Sequence, residues 1–294
     1  MKNTVFTGAA TALITPFTAT GVDYEAMGRL IEFQIAEGID ALVVTGTSGE
    51  ATTLDEKEYE EVIRFCVEKV AGRVPLIAGS GSNDTGLAIS RTRKASAAGV
   101  DALLLVTPYY NKTTQKGLIA HFTAIADVSE KPCILYNVPP RTGLNMEPET
   151  LRALAEHPRI VGVKEASGNI SQAARDIRLC GDLLDVYSGN DDQTVPFLSL
   201  GAQGVISVAA NILPAEMVQL CRLYTSGQVS EAAALQMRLL DLMNQLMIET
   251  NPIPVKAACA AMGFGENRVR LPLIPMEKPH EEVLMRQMKE LGLI

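Results

Sequence analysis

The chain has 294 residues, with 26 basic against 34 acidic side chains and a net charge of −8. That length buries a large core, and the absence of any lysine or arginine block able to track a phosphate backbone argues against a nucleic-acid partner. No apolar run approaches the roughly 18 to 20 residues that span a bilayer, so no membrane role is expected. Five scattered cysteines without a CxxC pair fit reduced thiols, and three distant histidines without HxH or HExxH spacing signal no metal site.

The N-terminal stretch MKNTVFTGAATALITPF carries one lysine and is interrupted by threonines; it reads as a strand rather than a signal peptide, and a cytoplasmic location is expected. Short apolar runs then recur along the chain: ATALITPF (10 to 17), ALVVTG (41 to 46), VPLIAG (74 to 79), ALLLVTP (102 to 108), CILYNVP (133 to 139), IVGVKEA (160 to 166), DVYSG (185 to 189) and GVISVAA (204 to 210). Between most of them lie segments of helical spacing, such as 23 to 38, 54 to 72 and 83 to 99. Near-continuous apolar strands alternating with helices predict a parallel sheet buried on both faces. Eight such units predict a (β/α)8 barrel over residues 1 to 225, with extra helices packed on it over 226 to 294. The Leu- and Met-rich run 231 to 249 reads as one of those helices, packing as core. A doubly wound open sheet is the alternative, but GSGSNDTG (79 to 86) is neither GxGxxG nor a P-loop.

In a barrel the strand C-termini and the loops after them build the active site. Thr47, Ser48 and Glu50 in GTSGE fall there, as do Tyr109 and Tyr110 in TPYYN, Tyr136, Asn137 and Arg141 in YNVPPRTG, Lys164 in VGVKEASG and Gly189 in YSGND. Strand alternation turns Lys164 into the barrel mouth if Val161 and Val163 face the helices. Apolar walls there favour a neutral amine able to form a Schiff base with a ketone; equally, Lys164 could pair with Glu165 as structural support. Tyr136 on the neighbouring strand could carry a proton, or be a core tyrosine. The glycines and hydroxyls of GTSGE suit a carboxylate, aided by free N–H groups of the following helix, or form a capped turn. Arg141 offers a planar fork for a second carboxylate, or is a solvated loop cation.

GTSGE, TPYYN, YNVPPRTG and GVKEASGN in this order resemble the dihydrodipicolinate synthase and N-acetylneuraminate lyase family of pyruvate-dependent class I aldolases. The similarity runs from TALITPF (11 to 17) to the C-terminal helices. The resemblance implies that Lys164 is the Schiff-base lysine and Tyr136 the catalytic tyrosine. It makes Thr47 and Ser48 the pair that binds the pyruvate carboxylate, with Ser48 where the synthase branch usually has threonine. Tyr110 matches a relay tyrosine lent by a neighbouring subunit, which implies a homo-oligomer, commonly a dimer of dimers. Gly189 and Ile206 match backbone positions near pyruvate.

Arg141 and EASGN resemble the synthase branch, which implies condensation of pyruvate with aspartate semialdehyde to 4-hydroxytetrahydrodipicolinate in lysine and diaminopimelate biosynthesis, without cofactors. One departure concerns lysine feedback: Asn83 is kept, but Leu87 stands where a glutamate is found, and Ala51, Glu56 and Tyr59 replace a serine and histidines. Feedback by lysine is therefore expected to be weak or absent. Three rivals remain: another aldolase of the family acting on a sugar acid or 4-hydroxy-2-oxoglutarate, a non-catalytic keto-acid-binding barrel, and a pyridoxal phosphate enzyme, for which no phosphate loop is visible.

Overall fold

A computed structural model describes residues 3–294, so the first two residues of the N-terminal stretch lie outside the described residues. Eight parallel strands, β1 (Gly8–Ala12), β2 (Ala41–Val44), β3 (Leu76–Gly79), β4 (Ala102–Val106), β5 (Cys133–Asn137), β6 (Ile160–Glu165), β7 (Asp185–Ser188) and β8 (Gly204–Ser207), close into a barrel in sequence order. The first four crossovers are α1 (Tyr24–Ala36), α2 (Glu56–Val70), α3 (Thr85–Ala98) and α4 (Gln115–Asp127). Two short helices, α5 (Pro139–Thr142) and α6 (Pro148–Leu154), link β5 to β6, and α7 (Ile170–Cys180) and α8 (Thr194–Leu200) follow β6 and β7. After β8 come α9 (Pro214–Thr225), α10 (Val229–Gln245), α11 (Ile253–Ala261) and α12 (Lys278–Glu290). Among the described residues no helix is long and apolar enough to cross a membrane, and all five cysteines are buried.

Local chemistry explains the boundaries. Asp55 and Glu58 form a capping box that starts α2, and Ala71 ends it in the left-handed conformation. Asp84 caps α3, which Gly99 terminates at φ 99°. The first strand is shorter and earlier than the run 10 to 17 predicts. Past Ala12 the chain leaves the sheet: the Ile14 N–H turns to the side-chain oxygen of Asn211 at 3.1 Å, and Pro16 has no N–H to give. The second strand stops at Val44 because Thr45 takes φ 50°. The helix expected over 231 to 249 ends at Gln245, with Leu239 and Leu242 in the core and Met247 and Ile248 exposed beyond it.

The apolar interior splits into an outer layer between strands and helices and an inner column inside the barrel. Phe6 stacks on Tyr187 at 4.4 Å and its carbonyl accepts the Tyr187 hydroxyl at 2.8 Å, closing the column from below. Strand β6 corrects the alternation argument. Cys133 pairs with Ile160 and Ile134 with Gly162, leaving Val161 as a bulge. Val163 faces the helices as expected, but Val161 joins the inner column and Ile160 the outer layer. Lys164 still points inward, because beyond the bulge the alternation runs Gly162 in, Val163 out, Lys164 in.

Candidate active site

Tyr136 and Lys164 are register partners at the C-terminal ends of β5 and β6. The Lys164 side chain is 4% exposed, and its nitrogen lies 4.5 Å from the centroid of the Tyr136 ring. Its amine is lowered to about 8, chiefly by burial, with Asp191 opposing and the Arg141 charge adding to the fall. At pH 7 such an amine is neutral roughly a tenth of the time, enough to act as a nucleophile. The pairing with Glu165 does not form. Glu165 faces the opposite side of the strand, where it accepts from the Asn137 side chain at 2.8 Å and the Ser167 N–H at 2.6 Å.

Gly189 keeps the lysine in place by having no side chain. A Cβ there would sit 3.0 Å from the Lys164 Cε and 2.5 Å from the Ala166 Cβ, and the Gly189 N–H bonds the Glu165 carbonyl at 2.8 Å. Ile206 is buried in the inner column, on β8.

The loop after β2 is held in sparsely populated backbone conformations, with Thr45 at φ 50° and Glu50 at φ 51°. It places Thr47 beside Tyr136 on the cavity wall; burial raises the Tyr136 phenol, while the Arg141 charge and then the Thr47 hydroxyl lower it. Ser48 is buried beside it, its oxygen 3.0 Å from the side-chain nitrogen of Asn251. A turn separates the loop from α2, and the Asp55 side chain takes the Glu58 N–H at 2.8 Å.

Arg141, on α5, stays exposed and donates to the Asn251 carbonyl at 3.2 Å. A cavity of about 320 Å³ opens here, walled by Thr47, Tyr109, Tyr136, Arg141 and Asn251. Lys164, against the Tyr136 ring, is not itself part of that wall, nor are Ser48, Gly189 and Ile206. Tyr110 is not brought in: it sits at φ 70°, is 91% exposed and does not line the cavity.

A buried lysine against a tyrosine ring, two hydroxyls and an arginine at the mouth of an eightfold barrel match the order of motifs along the chain. The model of the Dihydrodipicolinate synthetase family matches residues 5–291. The chain belongs to the dihydrodipicolinate synthetase family. It is 51% identical over 291 residues to the 4-hydroxy-tetrahydrodipicolinate synthase of Thermoanaerobacter sp. (strain X514), covering 99% of this chain and 98% of the relative. The dihydrodipicolinate synthase of Acinetobacter baumannii, solved as a chloride-inhibited enzyme complexed with pyruvate, superposes with TM-score 0.96 at 41% identity, covering 99% of this chain and all of that one. A monomeric dihydrodipicolinate synthase variant superposes with TM-score 0.97 at 42% identity, over 99% of this chain and 98% of its own. This family member is an enzyme of the lyase kind.

Three residues at or near the candidate site escape sequence reasoning. Asp191, two residues past Gly189, accepts the Val208 and Ala209 N–H groups at 3.1 and 2.8 Å and acts on the Lys164 charge; it closes the motif YSGND, of which only Gly189 was singled out. Asn251 sits in an Asn-Pro dipeptide far along the chain and gives no signal at all. Lys256, in the apolar run PIPVKAACA, gives the same signal as Lys164. It is 1% exposed, but its nitrogen is 2.5 Å from a Glu50 oxygen and 4.0 Å from the Phe17 ring centroid. Burial lowers the Lys256 amine to about 8, as it does that of Lys164, with Glu50 opposing; what sets Lys256 apart is the Glu50 carboxylate that holds it and ties α11 to the loop after β2.

Proposed function

We propose that this enzyme condenses pyruvate with L-aspartate 4-semialdehyde through a Schiff base on Lys164. The observation that carries the reading is the burial of Lys164 against Tyr136 with its carboxylate neighbour turned away. The neutral amine adds to the pyruvate ketone and water leaves, giving an iminium whose methyl group is acidic. Tyr136, with Thr47 beside it, takes up and returns protons, and loss of a methyl proton gives an enamine. Ser48 and Thr47 hold the pyruvate carboxylate. The enamine carbon adds to the aldehyde, whose own carboxylate is met by Arg141. The substrate's amine then displaces Lys164 and closes the ring as 4-hydroxytetrahydrodipicolinate, a step that fits lysine and diaminopimelate biosynthesis and a cytoplasmic location. None of these steps calls for a metal or organic cofactor.

Tyr110 completes the proton relay when a second copy presents it. Its 91% exposure at a left-handed backbone position suits a side chain built to be buried by a partner. A homo-oligomer, a dimer of dimers, is part of this reading, although a monomeric variant exists within the family. Residues 1 to 225 are the catalytic barrel, and residues 226 to 294 a helical region that adds Asn251 to the site wall. Lysine feedback is weak or absent. Glu56 is engaged by Arg91 at 2.8 Å and Lys94 at 3.1 Å, Tyr59 is buried with its hydroxyl on the Gly79 carbonyl, and Leu87, half-buried rather than fully buried, has no charge to offer an ammonium. Potent inhibition in a lysine titration contradicts this.

A coupled assay with pyruvate and aspartate semialdehyde on wild type, Lys164→Ala and Arg141→Ala tests the proposal. Lys164→Ala should be inactive, and Arg141→Ala should lose the semialdehyde's affinity far more than pyruvate's. Full activity in Lys164→Ala ends the Schiff-base reading. Faster cleavage of a sugar acid than turnover of the semialdehyde by wild type would move the enzyme to the other aldolases of the family.

A further inference from the structure

We infer that Asn251 is a positioning residue: its side-chain amide sets the direction in which Ser48 donates its hydroxyl hydrogen, and through Ser48 it sets the affinity for the carboxylate of the keto acid. The inference rests on the proposed pyruvate chemistry at Lys164. A serine hydroxyl has one hydrogen and two lone pairs. The Asn251 Nδ2, which can only donate, lies 3.0 Å from the Ser48 oxygen, whereas the Asn251 Oδ1 stands at 3.5 Å, the limit of a hydrogen bond. The shorter contact fills a Ser48 lone pair and leaves its hydrogen free for another acceptor. Asn251 is 5% exposed and lines the cavity beside Tyr136 and Arg141.

The same residue touches the other candidate carboxylate holder by a different route. Its main-chain carbonyl accepts from Arg141 at 3.2 Å, a bond that survives side-chain replacement. Substitution at 251 therefore separates the two carboxylate sites: Ser48 loses its orienting donor, and Arg141 keeps its acceptor. An aspartate in this position reverses the polarity. It has the shape of asparagine but only accepts, so it draws the Ser48 hydrogen to itself and adds a negative charge near the carboxylate to be bound.

The experiment measures KM for pyruvate, KM for aspartate semialdehyde and kcat in wild type, Asn251→Asp, Asn251→Leu, Ser48→Ala and the double variant Ser48→Ala with Asn251→Leu, with melting curves for each. Loss of a hydrogen bond to a charged group corresponds to roughly tenfold or more in affinity. Asn251→Asp should raise the pyruvate KM about tenfold or more, Asn251→Leu less, and in both the pyruvate KM should rise more than the semialdehyde KM or than kcat falls. In the Ser48→Ala background, Asn251→Leu should add nothing further. A purely structural role gives the opposite order, since aspartate preserves the shape and can still bond Ser48 while leucine cannot. A larger effect of leucine than of aspartate, or a pyruvate KM within twofold of wild type in Asn251→Asp, overturns the inference. If Asn251→Asp fails to fold, the Ser48→Ala and Asn251→Leu pair decides: effects that simply add overturn it. Wild type unable to turn over pyruvate overturns the proposed function itself, and that failure is seen before any variant is made.

Discussion

Replacing Lys164 by methionine should abolish the chemistry and make the folded protein more stable at neutral pH. The amine falls from its ordinary 10.5 to about 8 on folding, because burial strips water from the ammonium. At pH 7 this difference corresponds to about 3 kcal/mol of destabilisation, which a methionine of similar length does not carry. The sign follows from proton counting. Between pH 8 and 10.5 the unfolded chain still holds the proton that the folded chain has released, so wild-type stability rises with pH across that window and the full penalty applies below it. Urea unfolding of both proteins at pH 7 and pH 10 reads this directly. The Met variant should lead by about 3 kcal/mol at pH 7 and by less than about 1 kcal/mol at pH 10. A Met variant no more stable at pH 7, or a gap independent of pH, refutes the claim that the fold holds an amine under desolvation strain.

Gly189→Ala forces a methyl against Ala166 and the Lys164 stem, so it should cost about 1 to 3 kcal/mol in a melt and lower kcat/KM for pyruvate at least about tenfold; wild-type kcat/KM contradicts the placement. Asp176 is buried, and burial first and Glu165 second raise its carboxyl from 3.8 to about 8. The folded protein thus keeps a proton that the unfolded chain loses, and stability should fall as pH rises from about 4 to 8. Asp176→Asn should therefore melt higher than wild type at pH 8.5, with the gap shrinking toward pH 5; a constant gap sinks the idea. Mixing inactive Tyr110→Phe with inactive Lys164→Ala and allowing subunit exchange should restore up to about a quarter of wild-type activity, because a mixed dimer contains one complete site. No recovery after verified exchange contradicts the lending of Tyr110.

The barrel was legible because parallel strands buried on both faces must be apolar throughout, and the runs at 41, 74, 102, 133, 160, 185 and 204 all sit on or around observed strands. Helix starts at Asp55 and Asp84 were equally readable, since capping is local chemistry. What depends on distant partners was not. The bulge at Val161 lies among apolar residues that carry no mark of which face they take, so the alternation argument reached the right side of β6 for Lys164 through a premise that fails at Val161. Lys164 and Lys256 look alike in sequence, and what separates them is Glu50, 206 residues from Lys256. Asn251 becomes visible only when the chain end folds back over Ser48 and Arg141. Tyr110 carried no chemical argument of its own beyond the family resemblance; its exposure is a property of the folded loop.

Borohydride reduction in the presence of pyruvate tests the central claim most directly. Wild type treated with both reagents should gain the mass of one reduced pyruvate adduct per chain, and peptide mapping should place it on Lys164 and leave Lys256 unmodified. An unmodified chain, or an adduct on Lys256 with Lys164 untouched, contradicts the account.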